Sequence, residues 1–335
     1  MDIRFGRILF TYIFCFIFLF NNLCDRVLTQ NKLASSNNKL SSESTISKKL
    51  SPHGHWHYGT NWPHHGYKKC GGQQQSPIRL ISSDATGEEL HLNFRNYRKP
   101  IKLAYIENNG HTVQIGFSDK FIITVYGSAS NFKPYIFKQL HFHWGSYNGV
   151  GSEHTIDGYR GPLEIHLVHY NRKYSSFDEA ADKTDGLMVL GALYKISSRN
   201  NRFMSTVMSL VRSVPKYKDK ALILQSFTLR SLLPSRLKPF FVYDGSLTTP
   251  PCYESVHWYR MKSSFHLSQY IIRNNENNYF RLVFKNTVNI GNAQEKQFRK
   301  CRSGDNNRKT GLKKTISNNF RPLQATNERQ ITISA

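Results

Sequence analysis

From about residue 76 onward the chain is cut into short apolar or alternating stretches separated by turn-forming residues. The stretches LHLNF (90–94), IKLAYI (101–106), TVQIGF (112–117), FIITVYG (121–127), IFKQLHFHWG (136–145), EIHLVHYN (164–171) and LMVLGALYKI (187–196) are rich in β-branched and aromatic residues. Period-two alternation predicts strands, because successive side chains of a strand point to opposite faces. One helix is expected after Asn201, where Phe203, Val207, Leu210 and Val211 share a face. No series of longer helices alternates with the strands, which disfavours a doubly wound parallel fold. No internal repeat is present. The pattern reads as a mainly β (α+β) single domain.

The N-terminus has a different character. Arg4 and Arg7 precede an apolar run over residues 8–20, which Asn21 and Asn22 close. A membrane-spanning helix needs about 20 apolar residues, so residues 1–24 read as a secretory signal peptide. No A-x-A cleavage pattern follows, and an uncleaved signal anchor stays open as the alternative. Residues 25–52 are rich in Ser, Asn and Lys without periodicity and read as a solvated linker. No stable membrane span is expected after signal cleavage, and a secreted product follows.

Composition adds a charge argument. The 335 residues carry 46 Lys+Arg against 22 Asp+Glu, a formal net charge of +24. That balance implies attraction to anionic surfaces without choosing among them. Nucleic acid is not expected as a partner, since no recognition motif accompanies the charge and the secretory start conflicts with it. An apolar fraction of 39% excludes wholesale disorder.

The strongest chemical signal is His141-Phe142-His143 inside one predicted strand, with His166 in the next such segment. Residues two apart in a strand share a face, so His141 and His143 can aim two imidazoles at one point. Gln139 precedes His141 by two and Glu164 precedes His166 by two, which suits groups that receive the second ring N–H of a metal-bound histidine. A lone H-x-H is more often a solvated face. A row of Gln, His and His beside a Glu and His row is harder to explain as packing, because polar groups on an inward face need partners. Three neutral imidazoles with an open fourth position form a catalytic zinc site, for which carbonic anhydrase is itself the standard example.

Over residues 53–335 the chain resembles the α-class carbonic anhydrases. The matching motifs are QQQSPI (73–78), NNGH (108–111), QLHFHWG (139–145), GSEHTIDG (151–158), EIHLVHYN (164–171), DGLMVLG (185–191), DGSLTTPPC (244–252), VHW (256–258), NNFRPLQ (318–324) and ERQ (328–330). The resemblance implies a central, mostly antiparallel, twisted ten-stranded sheet with a few short helices and zinc at the base of a conical cleft. It implies one Zn2+ per chain on His141, His143 and His166, and reversible hydration of CO2 to bicarbonate by zinc-bound hydroxide. Thr248 would orient the hydroxide and Glu153 would accept from Thr248. His111 would shuttle the proton, with Tyr58 and Asn109 ordering the shuttle water. Val168, Val189, Leu247, Thr248, Thr249 and Trp258 would form the CO2 wall. Cys70 and Cys252 match a disulfide pair of extracellular members, leaving Cys301 free or paired elsewhere.

The stretch between Trp258 and Asn319 is longer than usual for the family. The surplus is expected at about 285–316, a window with nine Lys/Arg against two Asp/Glu, read as an exposed, mobile, Asn-rich insertion. An insertion of that composition there is similar to the nacrein type of molluscan shell-matrix enzyme. Two functions follow for comparison. One is a secreted zinc lyase acting on CO2/bicarbonate, supplying bicarbonate for calcification. The other is a protein that binds acidic matrix macromolecules or carbonate mineral through the basic insertion, the fold serving as a platform.

Overall fold

The computed structural model describes residues 56–117, 121–223, 226–254, 280–306 and 313–335. The chain divides into residues 1–52, where the signal and linker expectations lie outside the described residues, and a unit of residues 53–335. That unit is built mainly from strands: β1 (Arg79–Leu80), β2 (Thr86–Glu88), β3 (Asn93–Arg95), β4 (Ala104–Asn108), β5 (Val113–Phe117), β6 (Thr124–Tyr126), β7 (Tyr135–Trp144), β8 (Thr155–Ile156), β9 (Leu163–Asn171), β10 (Leu187–Ser197), β11 (Lys220–Ile223), β12 (Phe240–Asp244), β13 (Phe280–Gly291), β14 (Arg302–Asn306), β15 (Lys313–Thr315) and β16 (Thr332–Ser334). Among the described residues three short α-helices accompany them: α1 (Phe177–Ala180), α2 (Arg202–Val211) and α3 (Asn292–Phe298). Helix α2 is the one expected after Asn201; Met204, Val207, Met208 and Val211 bury its inner face.

Ten strands form one continuous path, β11-β4-β5-β7-β9-β10-β13-β12-β16-β2, and β6 joins it at β7 with β3 at its side. The pairings along the path are antiparallel except β10 with β13 and β16 with β2. This is the large, mixed, twisted sheet that the motifs imply.

A bulge in β7 decides where the histidines point. Phe137 pairs with His169, and Gln139 pairs with the next residue back, Val168, so Lys138 is an extra residue. Tyr135 and Phe137 face the main core before the bulge, and Leu140, Phe142 and Trp144 face the same core after it. A one-residue phase change reverses the faces of a strand. Here it keeps aromatic and aliphatic residues inward on both sides of Lys138, and it sends Gln139, His141 and His143 to the opposite face. In β9, Leu163, Ile165 and Leu167 join that same core, leaving Glu164, His166 and Val168 on the histidine face.

Of the window 285–316, residues 285–306 and 313–316 are described, and they contain strand and helix where composition suggests an exposed loop. Strand β13 lies in the sheet interior between β10 and β12, with Leu282, Val283, Phe284, Val288 and Ile290 buried. Helix α3 seats Phe298 against the rings of Phe142 and Trp144, at centroid distances of 4.9 and 5.2 Å. Ile316 is buried and its carbonyl accepts the Trp144 indole N–H at 2.9 Å. Two of the window's basic residues make polar contacts with other elements, Lys285 reaching Ser82 and Asp157 and Arg299 reaching Asn148 and Glu295. Its periodicity is broken by a bulge, since three residues of β13 (285–287) oppose the single Leu193 of β10.

Candidate metal centre

The two central strands place the three histidines together. His141 and His166 are directly opposed across β7 and β9, and His143 is opposed to Glu164. One ring nitrogen from each of His141, His143 and His166 lies within 4.8 Å of the others. His143 and His166 are fully buried and His141 is half-buried.

The outer nitrogens determine the state of the inner ones. His141 Nδ1 meets Gln139 Oε1 at 3.0 Å, His143 Nδ1 meets the Asn319 carbonyl at 2.7 Å, and His166 Nε2 meets Glu164 Oε1 at 2.7 Å. Each partner is an acceptor, so each outer nitrogen carries the proton of a neutral ring and each inner nitrogen presents a lone pair. Converging lone pairs repel unless a cation lies between them. His143 Nε2 and His166 Nδ1 are 3.1 Å apart, while a tetrahedral zinc with Zn–N bonds of about 2.0–2.1 Å has ligand edges of about 3.3–3.4 Å. The donor set and its spacing both fit zinc.

A second cluster, His154, Glu164 and His166, has the composition of a metal site but is satisfied by hydrogen bonds. Glu164 accepts the His154 backbone N–H at 2.9 Å, and its Oε1 meets His154 Nδ1 and His166 Nε2, each at 2.7 Å. Burial opposes its charge, but the His154 and His166 rings outweigh this and hold its carboxyl well below the usual carboxylate range. His154 Nε2 meets the Tyr243 hydroxyl at 2.7 Å, and that hydroxyl donates to Ser76 Oγ at 3.0 Å. The chain Ser76–Tyr243–His154–Glu164–His166 thus fixes one ligand from β12 and the 76–77 turn. Gly191 opposes His166 on β10, and a Cβ there would sit 3.2 Å from Glu164 Oε1. Only a small residue leaves this carboxylate its place.

Loop residues that sequence reasoning missed complete the surroundings. Asn319 joins β7 to the turn before β5: its Oδ1 accepts the Trp144 N–H at 2.6 Å, and its Nδ2 donates to the carbonyls of Phe142 and His111 at 3.1 and 3.0 Å. Arg321 is buried and donates to Gln75 Oε1, the Ser76 carbonyl and the Cys70 carbonyl at 2.7–2.8 Å. Its backbone N–H donates to Glu153 Oε1 at 2.9 Å. The motifs NNFRPLQ and GSEHT contain Asn319, Arg321 and His154, but no spacing rule singles them out.

The other expected residues divide into those placed and those not. Glu153 is buried, and its Oε2 has no hydrogen-bond partner among the described residues. Thr248 is buried in the turn after β12 and makes no hydrogen bond to Glu153 in this structure, a departure from the arrangement implied by resemblance. Cys70 and Cys252 form the disulfide, with Cα atoms 4.9 Å apart. Cys301 is buried in the main core, and burial pushes its thiol up to about 12, which disfavours pairing with another chain. His111 stacks on Trp56 with ring centroids 3.8 Å apart and planes within 6°. Tyr58 packs edge-on against Trp56 beside the disulfide, and burial, then the nearby Glu153 charge, raises its hydroxyl well above the usual phenol value. Asn109 Oδ1 accepts the N–H groups of His111 and Thr112 at 3.0 and 2.9 Å and so shapes the turn. Val168 and Val189 are buried and paired across β9 and β10, while Leu247 and Thr249 are half-buried. Trp258 lies outside the described residues.

Known proteins agree with this geometry. The family profile described as eukaryotic-type carbonic anhydrase matches residues 57–281 and 277–335. Human carbonic anhydrase 6 is 40% identical over 214 residues, which is 62% of this chain and 68% of that protein. Dog carbonic anhydrase 6 is 40% identical over 215 residues, covering 62% of this chain and 65% of the relative. Mouse carbonic anhydrase 7 is 38% identical over 236 residues, covering 66% and 84% respectively. Members of this family use a single zinc, for which His141, His143 and His166 are placed. With the fold, the histidine triad and the profile in agreement, the chain belongs to the eukaryotic-type carbonic anhydrase family.

Proposed function

We propose that the chain catalyses the reversible hydration of CO2 to bicarbonate and a proton, outside the cytosol, with one zinc on His141, His143 and His166. The observation that carries this reading is the convergence of three imidazole lone pairs, each fixed by an acceptor behind its ring. Zinc, when bound, supplies the Lewis acidity that brings the pKa of water to about 7, a magnitude established on carbonic anhydrase itself.

The chain's own groups have distinct tasks. Gln139, Glu164 and the Asn319 carbonyl hold the three rings in the tautomer that faces the metal. Glu153 Oε2 is a buried acceptor awaiting a donor, the role this reading gives to the Thr248 hydroxyl. With its proton committed to Glu153, Thr248 can only accept, so it orients an attacking O–H group by one lone pair. Val168, Val189, Leu247, Thr249 and Trp258 hold CO2 against the apolar side. His111 passes the released proton to buffer from its place on Trp56, and Tyr58 and Asn109 order the intervening water. The disulfide and the signal-like start support an oxidising, extracellular setting.

Stopped-flow CO2 hydration by the oxidised protein, with and without a zinc chelator, tests the reading. The expected result is turnover that the chelator abolishes and added zinc restores. One equivalent of bound zinc without turnover would overturn it. The alternative, matrix or mineral binding through residues 285–316, has less support, because the described part of that window includes the end of β13, helix α3 and the buried side chains Val288, Ile290, Phe298 and Ile316.

A further inference from the structure

A cleft of about 590 Å³ contains Arg98, Arg230, Ser235, Thr287 and Asn289 in its walls, with Leu233 and Val288 as buried apolar lining. None of the zinc-site residues lines it. Arg98 follows β3, and Arg230 sits on the short helical turn Leu229–Leu232. The backbone forces them together: the Arg230 N–H donates to the Tyr97 carbonyl at 2.9 Å, and the Ile101 N–H donates to the Phe227 carbonyl at 2.8 Å. Arg230 is then aimed by the chain itself, donating to the carbonyls of Pro234 and Ser235 at 2.8 and 2.7 Å. The Asn201 side chain braces the far wall through the Asn289 carbonyl at 2.9 Å.

Arg98 and Arg230 line one cleft, and their like charges repel. Burial, and then the Arg98 charge, lower the Arg230 pKa. Among the described residues neither arginine is in an ion pair with a carboxylate, and no acidic residue lines the cleft. A cleft that brings two like charges together without an internal counter-ion, one of them fixed by backbone carbonyls, suits an external anion. Guanidinium forks match the oxygens of a tetrahedral oxoanion. Arg98, Ser235 and Asn289 are exposed at the rim, so the cleft admits a group carried on a longer molecule. The formal net charge of +24 draws polyanions toward the whole surface.

We propose that the Arg98–Arg230 cleft binds the sulfate groups of an extracellular sulfated polysaccharide. The extracellular setting rests on the function proposed above; the binding itself does not depend on turnover. The polymer would tether the enzyme, at a surface separate from the metal centre, where the product bicarbonate is released.

The test is calorimetric titration of the full oxidised chain with a defined, fully sulfated heparin-type hexasaccharide at physiological salt, with sodium sulfate in parallel. Arg98→Glu removes one guanidinium and offers Arg230 an internal carboxylate. It is expected to weaken hexasaccharide binding about tenfold, the loss of one charge-assisted hydrogen-bonding group. Asn289→Asp, which leaves both arginines in place, is expected to weaken it about threefold by adding charge to the opposite wall. Arg79→Glu makes the same charge change on β1 and is expected to have less than about a twofold effect. Equal losses in Arg98→Glu and Arg79→Glu would show attraction by net charge alone and overturn the proposal. Sodium sulfate binding as tightly as the hexasaccharide would overturn the polysaccharide assignment. Unchanged CO2 hydration in Arg98→Glu, with weakened binding, would separate this site from the catalytic one.

Discussion

Strands β7 and β9 and the loop at residues 316–321 build the same site by different physics. In the strands, direction comes from the pleat: period two, set in phase by the Lys138 bulge, aims His141, His143 and His166 at one point. In the loop no periodicity operates. Asn319 and Arg321 act through hydrogen bonds to groups some 170 to 250 residues away in sequence, and they lock what the strands aim. Strand residues therefore choose the donor atoms, and loop residues hold those atoms still.

Removing a strand-borne ligand should have the largest effect. In His166→Asn, bound zinc measured by atomic absorption should fall well below one equivalent, and CO2 hydration should fall to the buffer background. Full zinc occupancy with normal turnover would break the assignment of donor atoms to the strands.

A second histidine on β9 sharpens the contrast. His169 is buried away from the site, with Nε2 beside the Tyr97 hydroxyl and Nδ1 at 3.3 Å from the Met188 carbonyl, and burial pushes its pKa down to about 3. The unfolded chain takes up this proton near pH 6.5 and the folded chain does not. His169 therefore contributes stability above about pH 6.5 that is lost as pH falls toward 3, on the order of 5 kcal/mol in all. Denaturant unfolding at stepped pH should show this acid limb, and Tyr97→Phe combined with His169→Leu should flatten it. An unchanged limb in the double variant would assign it to other groups.

Loop substitutions come next. Arg321→Met strands the acceptors at Gln75, Ser76 and Cys70 and should cost roughly 3 kcal/mol of unfolding free energy. Gln139→Ala, on the strand, should leave stability within about 0.5 kcal/mol while weakening zinc affinity by about 10–100-fold. If Gln139→Ala unfolds the protein as readily as Arg321→Met, the division between aiming and holding fails.

What was legible in the sequence follows the same division. The H-x-H and E-x-H rows could be read because strand geometry is local and converts spacing into direction. The helix after Asn201 was readable for the same reason. Asn319, Arg321 and His154 were not, because their partners lie far along the chain and no local pattern encodes them. In the window at 285–316 Lys, Asn and Gly dominate the composition, while Val288, Ile290, Phe298, Cys301 and Ile316 supply a buried side that composition does not announce. The β13 bulge interrupts the alternation that would have revealed a strand.

The Asn319 clamp also sets a schedule. A ribosome delivers β7 and β9 long before residue 319, so for much of synthesis the three rings exist without the carbonyl that fixes His143. The last of the described strands along the chain, β16, docks on β12 and β2 later still. Contacts of such long range form late in folding. Metal loading is thus an event for the finished chain, and a ribosome stalled before residue 316 would hold a polypeptide with every zinc ligand present but no assembled pocket to receive the ion.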